Sequence, residues 1–124
     1  MTNSQLTISP RTAAILDRIA AERARQDALW GEQNHPDGTG PDVEVAGLSR
    51  RASDAAHAAR FTTEIARAEG RLTWLHILRE EVYEGFAEAV VTDLFEELIQ
   101  VAATAACWAE AIERRSRPAN GGGA

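Results

Sequence analysis

Two short segments hold the residues best suited to chemistry: Glu80-Glu81-Val82-Tyr83-Glu84 and Glu96-Glu97-Leu98-Ile99-Gln100. Residues three apart on a helix share a face, so Glu81 is grouped with Glu84, and Glu97 with Gln100. On two antiparallel helices joined by a short turn, the pairs 84/97 and 81/100 have the same midpoint, 90.5. That symmetry places Glu84 opposite Glu97 and Glu81 opposite Gln100. Packed helix axes lie about 8–10 Å apart, close enough for carboxylates from both to meet at one ion.

These positions also interrupt apolar rows, Leu94-Glu97-Val101-Trp108 on one helix and Trp74-Leu78-Glu81-Gly85 on the other. An acidic helical run is ordinarily a solvated face, and Glu is a good helix former in its own right. Matched carboxylates within apolar rows are different, because they repel one another and titrate high unless a cation compensates them. A donor set of oxygens alone, without His or Cys, suits Mg²⁺ or Mn²⁺. A ferritin-like di-iron site asks for Glu-x-x-His pairs, and neither segment has the His.

The elements that must position these residues read as helices. Ser9-Pro10 starts the first, which runs over about 10–29 with Ala13, Leu16, Ile19, Ala20 and Ala24 at helical spacing and Gly31 beyond its end. Residues 31–45 are rich in Gly and Pro and predict a loop, long enough to suggest a mobile lid or specificity segment. A second helix is expected over 47–69 with an Ala-rich face, closed by Gly70. Thr73 caps a third over 74–89, and a fourth restarts at Thr92-Asp93. No stretch alternates convincingly enough to be a strand. The domain reading is a flexible N-terminus at 1–8, one α-helical domain at 9–113 and a disordered tail at 114–124.

Composition narrows the classes of function. The 124 residues include 24 Ala and suit one hydrophobic core. The net charge is -6, and all 13 basic residues are Arg, which disfavours a polymeric nucleic acid as partner. There is no long apolar run and no signal-peptide pattern at the N-terminus, so neither a membrane span nor secretion is expected, and the cytoplasm is the expected location. A lone Cys107 excludes an internal disulfide and a Cys-based zinc site.

With EEVYE at 80–84, a spacer of twelve residues and ELIQ at 97–100, the sequence resembles the MazG-like nucleoside triphosphate pyrophosphohydrolases, whose pattern is E-E-x-x-E followed by E-x-x-D. The segments RARQDALWGEQNHPDGTG, TWLHILREEVYE and EELIQVAATAACW are similar in particular to short actinobacterial and phage members, and the resemblance covers roughly residues 20–112. It implies an all-α bundle of four main helices, completed by a homodimer or higher oligomer. It also implies metal-dependent cleavage of an NTP or dNTP between the α and β phosphates, with Mg²⁺ or alternatively Mn²⁺. Glu81, Glu84 and Glu97 would be the metal ligands. Gln100, standing where the family usually has Asp, would be an uncharged fourth. That substitution leaves open a second function, a catalytically weakened bundle that senses nucleotides or binds a protein.

The resemblance makes Glu80 the candidate to orient or deprotonate the attacking water, against a plain role as a solvated neighbour of Arg79. Trp30, Gln33, Asn34 and His35 fall where related proteins hold the base; a helix-end anchor and polar loop filler is the alternative. Arg71, with Arg25, Arg50 and Arg51, is a candidate phosphate partner. His57 and His76 lack ligand-spaced partners, and Trp74 and Trp108 fit core positions.

Overall fold

The computed structural model describes residues 6–37, 39–45 and 50–116, and these are mostly helical. The elements are α1 (Pro10–Trp30), β1 (Glu44–Val45), β2 (Arg50–Arg51), α2 (Ala52–Ala68), α3 (Trp74–Phe86) and α4 (Val91–Ser116). The chain divides into two compact units, residues 36–105 and the two ends, 1–35 with 106–124. No helix among the described residues is long and apolar enough to cross a membrane.

In the unit formed by the ends, Ser9 caps α1 by accepting a hydrogen bond from the Thr12 N–H at 3.1 Å, and Pro10 occupies the start of the helix. The first turn is then tied to α4. Arg11 pairs with Glu113 at 3.3 Å, and the Thr12 hydroxyl donates to Glu110 at 2.9 Å. Ile15, Ala106 and Ala111 are buried here, whereas Leu16 and Ile19 remain exposed. Gly31 ends α1 at φ 67, and its N–H reaches the Asp27 carbonyl at 2.8 Å.

The other unit is built on α2 packed against α3. Ala52, Ala55, Ala56, Ala59 and Ala66 are buried along α2 and permit close approach. Fully buried Thr63 donates to Ala59 O at 2.8 Å and to His76 O of α3 at 3.2 Å. Gly70, at φ 74, turns the chain after α2, and Arg71 N–H bonds back to Ala66 O at 2.9 Å. Thr73 and His76 form a reciprocal cap at the start of α3, so His76 has a structural task.

The structure corrects several boundaries. α2 begins at Ala52 rather than 47, because Arg50–Arg51 pair as a short antiparallel ladder with Glu44–Val45 in the register Glu44↔Arg51 and Val45↔Arg50. Two-residue strands are too short for alternation to register. α3 ends at Phe86, α4 begins at Val91 with Thr92 and Asp93 inside its first turn, and the same helix runs to Ser116 instead of giving way to a tail at 114. Residues 1–5 and 117–124 of the expected flexible ends lie outside the described residues.

The loop before β1 is anchored at its far end. Thr39 Oγ1 donates to Glu88 O at 2.8 Å, and the N–H of buried Gly40 donates to Phe86 O at 2.9 Å. Pro41 and Val43 carbonyls accept from Ser53 and Ala52 N–H at 3.0 and 2.8 Å. α2 has no side-chain cap, so these loop carbonyls satisfy its first donors. Residues 39–43 are therefore tied to both the start of α2 and the end of α3.

Candidate metal centre

Glu81 and Glu84 stand on successive turns of α3, and Glu97 reaches them from α4. The three carboxylates offer oxygens that all lie within 4.8 Å of one another. Buried Gly85 faces Glu97 at this point; a Cβ there would lie 3.5 Å from Cγ of Glu97, an ordinary contact. The turn between α3 and α4 keeps its geometry through Glu88, whose carboxylate accepts the Val90 N–H at 3.3 Å.

All three residues are half-buried, and Oε1 of Glu81 and Oε2 of Glu97 are buried with no hydrogen-bond partner. Glu97 is pushed up to about 8, first by burial, then by its contact with the Glu81 carboxyl and the charges of Glu81, Glu84 and Glu88. A hydrogen bond between two carboxyls requires a proton on one of them. With both ionised, neither buried oxygen has a donor. Glu80 is also raised, by burial first and the Glu84 charge second, with Arg60 opposing.

A cation approaches this cluster from α2. Arg60 Nη2 and Nε reach the same Glu84 oxygen at 2.6 and 3.2 Å, and its Nε lies 3.7 Å from Glu80 Oε2. Arg60 is 48% exposed and the Glu84 side chain 24%. Between the helices lies an open cavity of about 320 Å³, lined by Ser53, Ala56, His57 and Arg60 on one side and Glu84, Ala87, Glu88 and Glu97 on the other.

These residues fit a hard divalent ion. The donors are all oxygens, two of them have no other partner, and the neighbouring carboxylates add to burial in holding the Glu97 carboxyl up at about 8. Three carboxylate oxygens within 4.8 Å of one another are close enough for side-chain adjustment to bring them onto one ion. Gln100, one turn beyond Glu97, is exposed.

The remaining candidates are placed elsewhere in the chain. Arg71 is ion-paired with Glu69 at 2.7 Å before the start of α3, while Glu84 lies roughly 15 Å of helical rise beyond Trp74. In the unit of the chain ends, Trp30 is 58% exposed, so it does not anchor the helix end by burial. Exposed Gln33 and His35 contact each other at 3.2 Å, and Asn34 donates to Glu32 at 3.1 Å. Gln33 also lines an open cavity of about 430 Å³ with Arg23, Asp27, Gly31 and Glu32.

Arg60 and His57 were the residues that the sequence left unassigned to the site. Their signal is the polar row Ser53, His57, Arg60 at i, i+4, i+7 opposite the Ala face. Comparison with protein-family models, curated proteins and solved structures returns no match, so this geometry stands on the chain's own residues.

Proposed function

We propose that the protein is a Mg²⁺- or Mn²⁺-dependent nucleotide pyrophosphohydrolase that cleaves an NTP or dNTP between the α and β phosphates, as its resemblance to the MazG-like enzymes implies. The observation that supports this best is the convergence of Glu81, Glu84 and Glu97 from two helices, with buried acceptor oxygens lacking any donor. When bound there, the ion supplies neutralisation of phosphate charge and acidification of a coordinated water. Glu81, Glu84 and Glu97 would hold it. Gln100 offers a carbonyl without charge.

Glu80 borders the same cluster, and burial makes its carboxylate a stronger proton acceptor than an exposed one. In the proposed reaction it takes a proton from water as the water oxygen bonds to the α phosphorus. The bond from that phosphorus to the bridging oxygen breaks, and pyrophosphate leaves with the electron pair. The products are a nucleoside monophosphate and pyrophosphate.

The proposal includes a homodimer. Val91, Phe95 and Leu98 are exposed along α4, and with Ala102 they keep a 4-3-4 spacing that a second copy of the helix can match. Light scattering across a concentration series tests it, with a dimer mass as the expected result.

A second reading rests on Gln100: with a neutral, exposed side chain at the family's acidic position, the protein would bind nucleotide without turning it over. Pyrophosphate release from a panel of NTPs and dNTPs, with Mg²⁺, Mn²⁺ or EDTA, separates the two. Metal-dependent release supports the enzyme; nucleotide binding without release supports the sensor.

A further inference from the structure

The cavity beside the carboxylates has two unlike walls. One is acidic, made by Glu84, Glu88 and Glu97. The other belongs to α2 and carries only donors and small groups: Ser53, His57 and Arg60, at i, i+4 and i+7 on one helical face, with Ala56 beneath them. Ser53 is half-buried and His57 exposed, so a solute in the cavity has access to both.

Resting on the metal reading above, we infer that this α2 wall is an anion-binding wall for the polyphosphate, and that Arg60 is its principal cation, held in reserve by Glu84. Without an ion, the guanidinium reaches Glu84 at 2.6 Å and comes within 3.7 Å of Glu80. It relieves part of the carboxylates' mutual repulsion from outside the cluster. An ion held by Glu81, Glu84 and Glu97 competes for the same Glu84 charge. Arg60 then turns its planar donors to phosphate oxygens in the cavity, a geometry that guanidinium matches well. His57 and Ser53 extend the row of donors along the same face. Arg60 is half exposed and on the helix surface, so its exchange of partners disturbs no packed core.

The arrangement predicts opposite signs for two affinities on one substitution. Arg60→Gln removes both a competitor for Glu84 and a repelling cation, so Mn²⁺ alone should bind about two- to fivefold more tightly. Inorganic tripolyphosphate in the presence of saturating Mn²⁺ should bind about 10- to 100-fold more weakly, the loss expected for a charge-assisted bond to an anion. His57→Ala should weaken tripolyphosphate by a smaller factor and leave Mn²⁺ unchanged. The readout is titration calorimetry of wild type and both variants, with circular dichroism to show equal helicity. Arg60→Lys gives the control for charge without the planar fork and should recover part of the anion affinity.

If Mn²⁺ binds wild type but tripolyphosphate binds Arg60→Gln as tightly as wild type, the anion wall is refuted while the metal centre stands. Weaker Mn²⁺ binding by Arg60→Gln likewise refutes the exchange and makes Arg60 a support for the cluster. Failure of wild type to bind Mn²⁺ removes the metal centre, and this inference with it.

Discussion

Replacing Glu97 with Gln should make the protein more stable in alkaline solution. The Glu97 carboxyl is raised from 4.5 to about 8, chiefly by burial and then by the neighbouring carboxyl of Glu81. The folded state therefore holds a proton that the unfolded chain has lost over that interval. Unfolding releases it, so stability falls as pH rises from about 4.5 to about 8 and is level outside that window. At 1.36 kcal/mol per pH unit, an isolated group with this shift would contribute a ceiling of about 4–5 kcal/mol. Glu81 and Glu84 share the titration and the cavity admits water, so we expect about 1–3 kcal/mol.

The Glu97→Gln variant keeps the shape, offers an amide N–H to Glu81 and has no proton to lose. Urea unfolding at pH 5, 7 and 9 in EDTA is the assay. Wild type should lose stability across the series relative to the variant, with the gap at pH 9 larger than at pH 5 by that amount. Saturating Mn²⁺ should then restore wild type at pH 9 and leave the variant little changed, because only the native cluster binds it. Parallel pH profiles for the two proteins in EDTA would show that Glu97 is solvated and would remove the reasoning.

The other substitutions probe the geometry around the cluster. Gln100→Asp places a carboxylate one turn beyond Glu97 and should tighten Mg²⁺ or Mn²⁺ binding several-fold in calorimetry without nucleotide; unchanged affinity would put residue 100 outside the coordination sphere. Gly85→Ala meets Glu97 Cγ at an ordinary contact distance of 3.5 Å and should raise stability in urea by about 0.5–1 kcal/mol through helix propensity. Gly70→Ala, at φ 74 with open space around it, should lower stability by about 1 kcal/mol, since the cost there is backbone strain alone.

The carboxylate cluster was legible because helical spacing and a short turn constrain it: Glu81 and Glu84 must share a face, and Glu97 must come from the next helix. The cross-helix pairing was less so. Glu97 sits beside Gly85 and meets Glu81 as well as Glu84, while Gln100 is exposed. A symmetry of residue numbers ignores how the two helices meet, which sets Glu97 beside Gly85. Arg60 was not legible as a site residue, because its meeting with Glu84 depends on the packing of α2 on α3, set by the Gly70 turn and by the Thr63 bond to His76 O. The β1–β2 ladder escaped because two residues per strand carry no periodic signal; beside it, the Pro41 and Val43 carbonyls accept the first N–H groups of α2. Apolar spacing marks the helices without marking the core: Leu94 of the α4 row is buried, whereas Leu16 and Ile19 of the α1 row are exposed.

Phosphorus NMR of a nucleoside triphosphate incubated with Mg²⁺ and protein tests the central claim most directly, because it identifies which bond is cut. The account predicts signals of a monophosphate and pyrophosphate with wild type, absent in EDTA and reduced at least about 100-fold in rate with Glu84→Gln of unchanged helicity. A diphosphate with inorganic phosphate would contradict the proposed reaction. Equal turnover by Glu84→Gln would contradict the site, and no turnover by metal-loaded wild type on any triphosphate of the panel would contradict the activity itself.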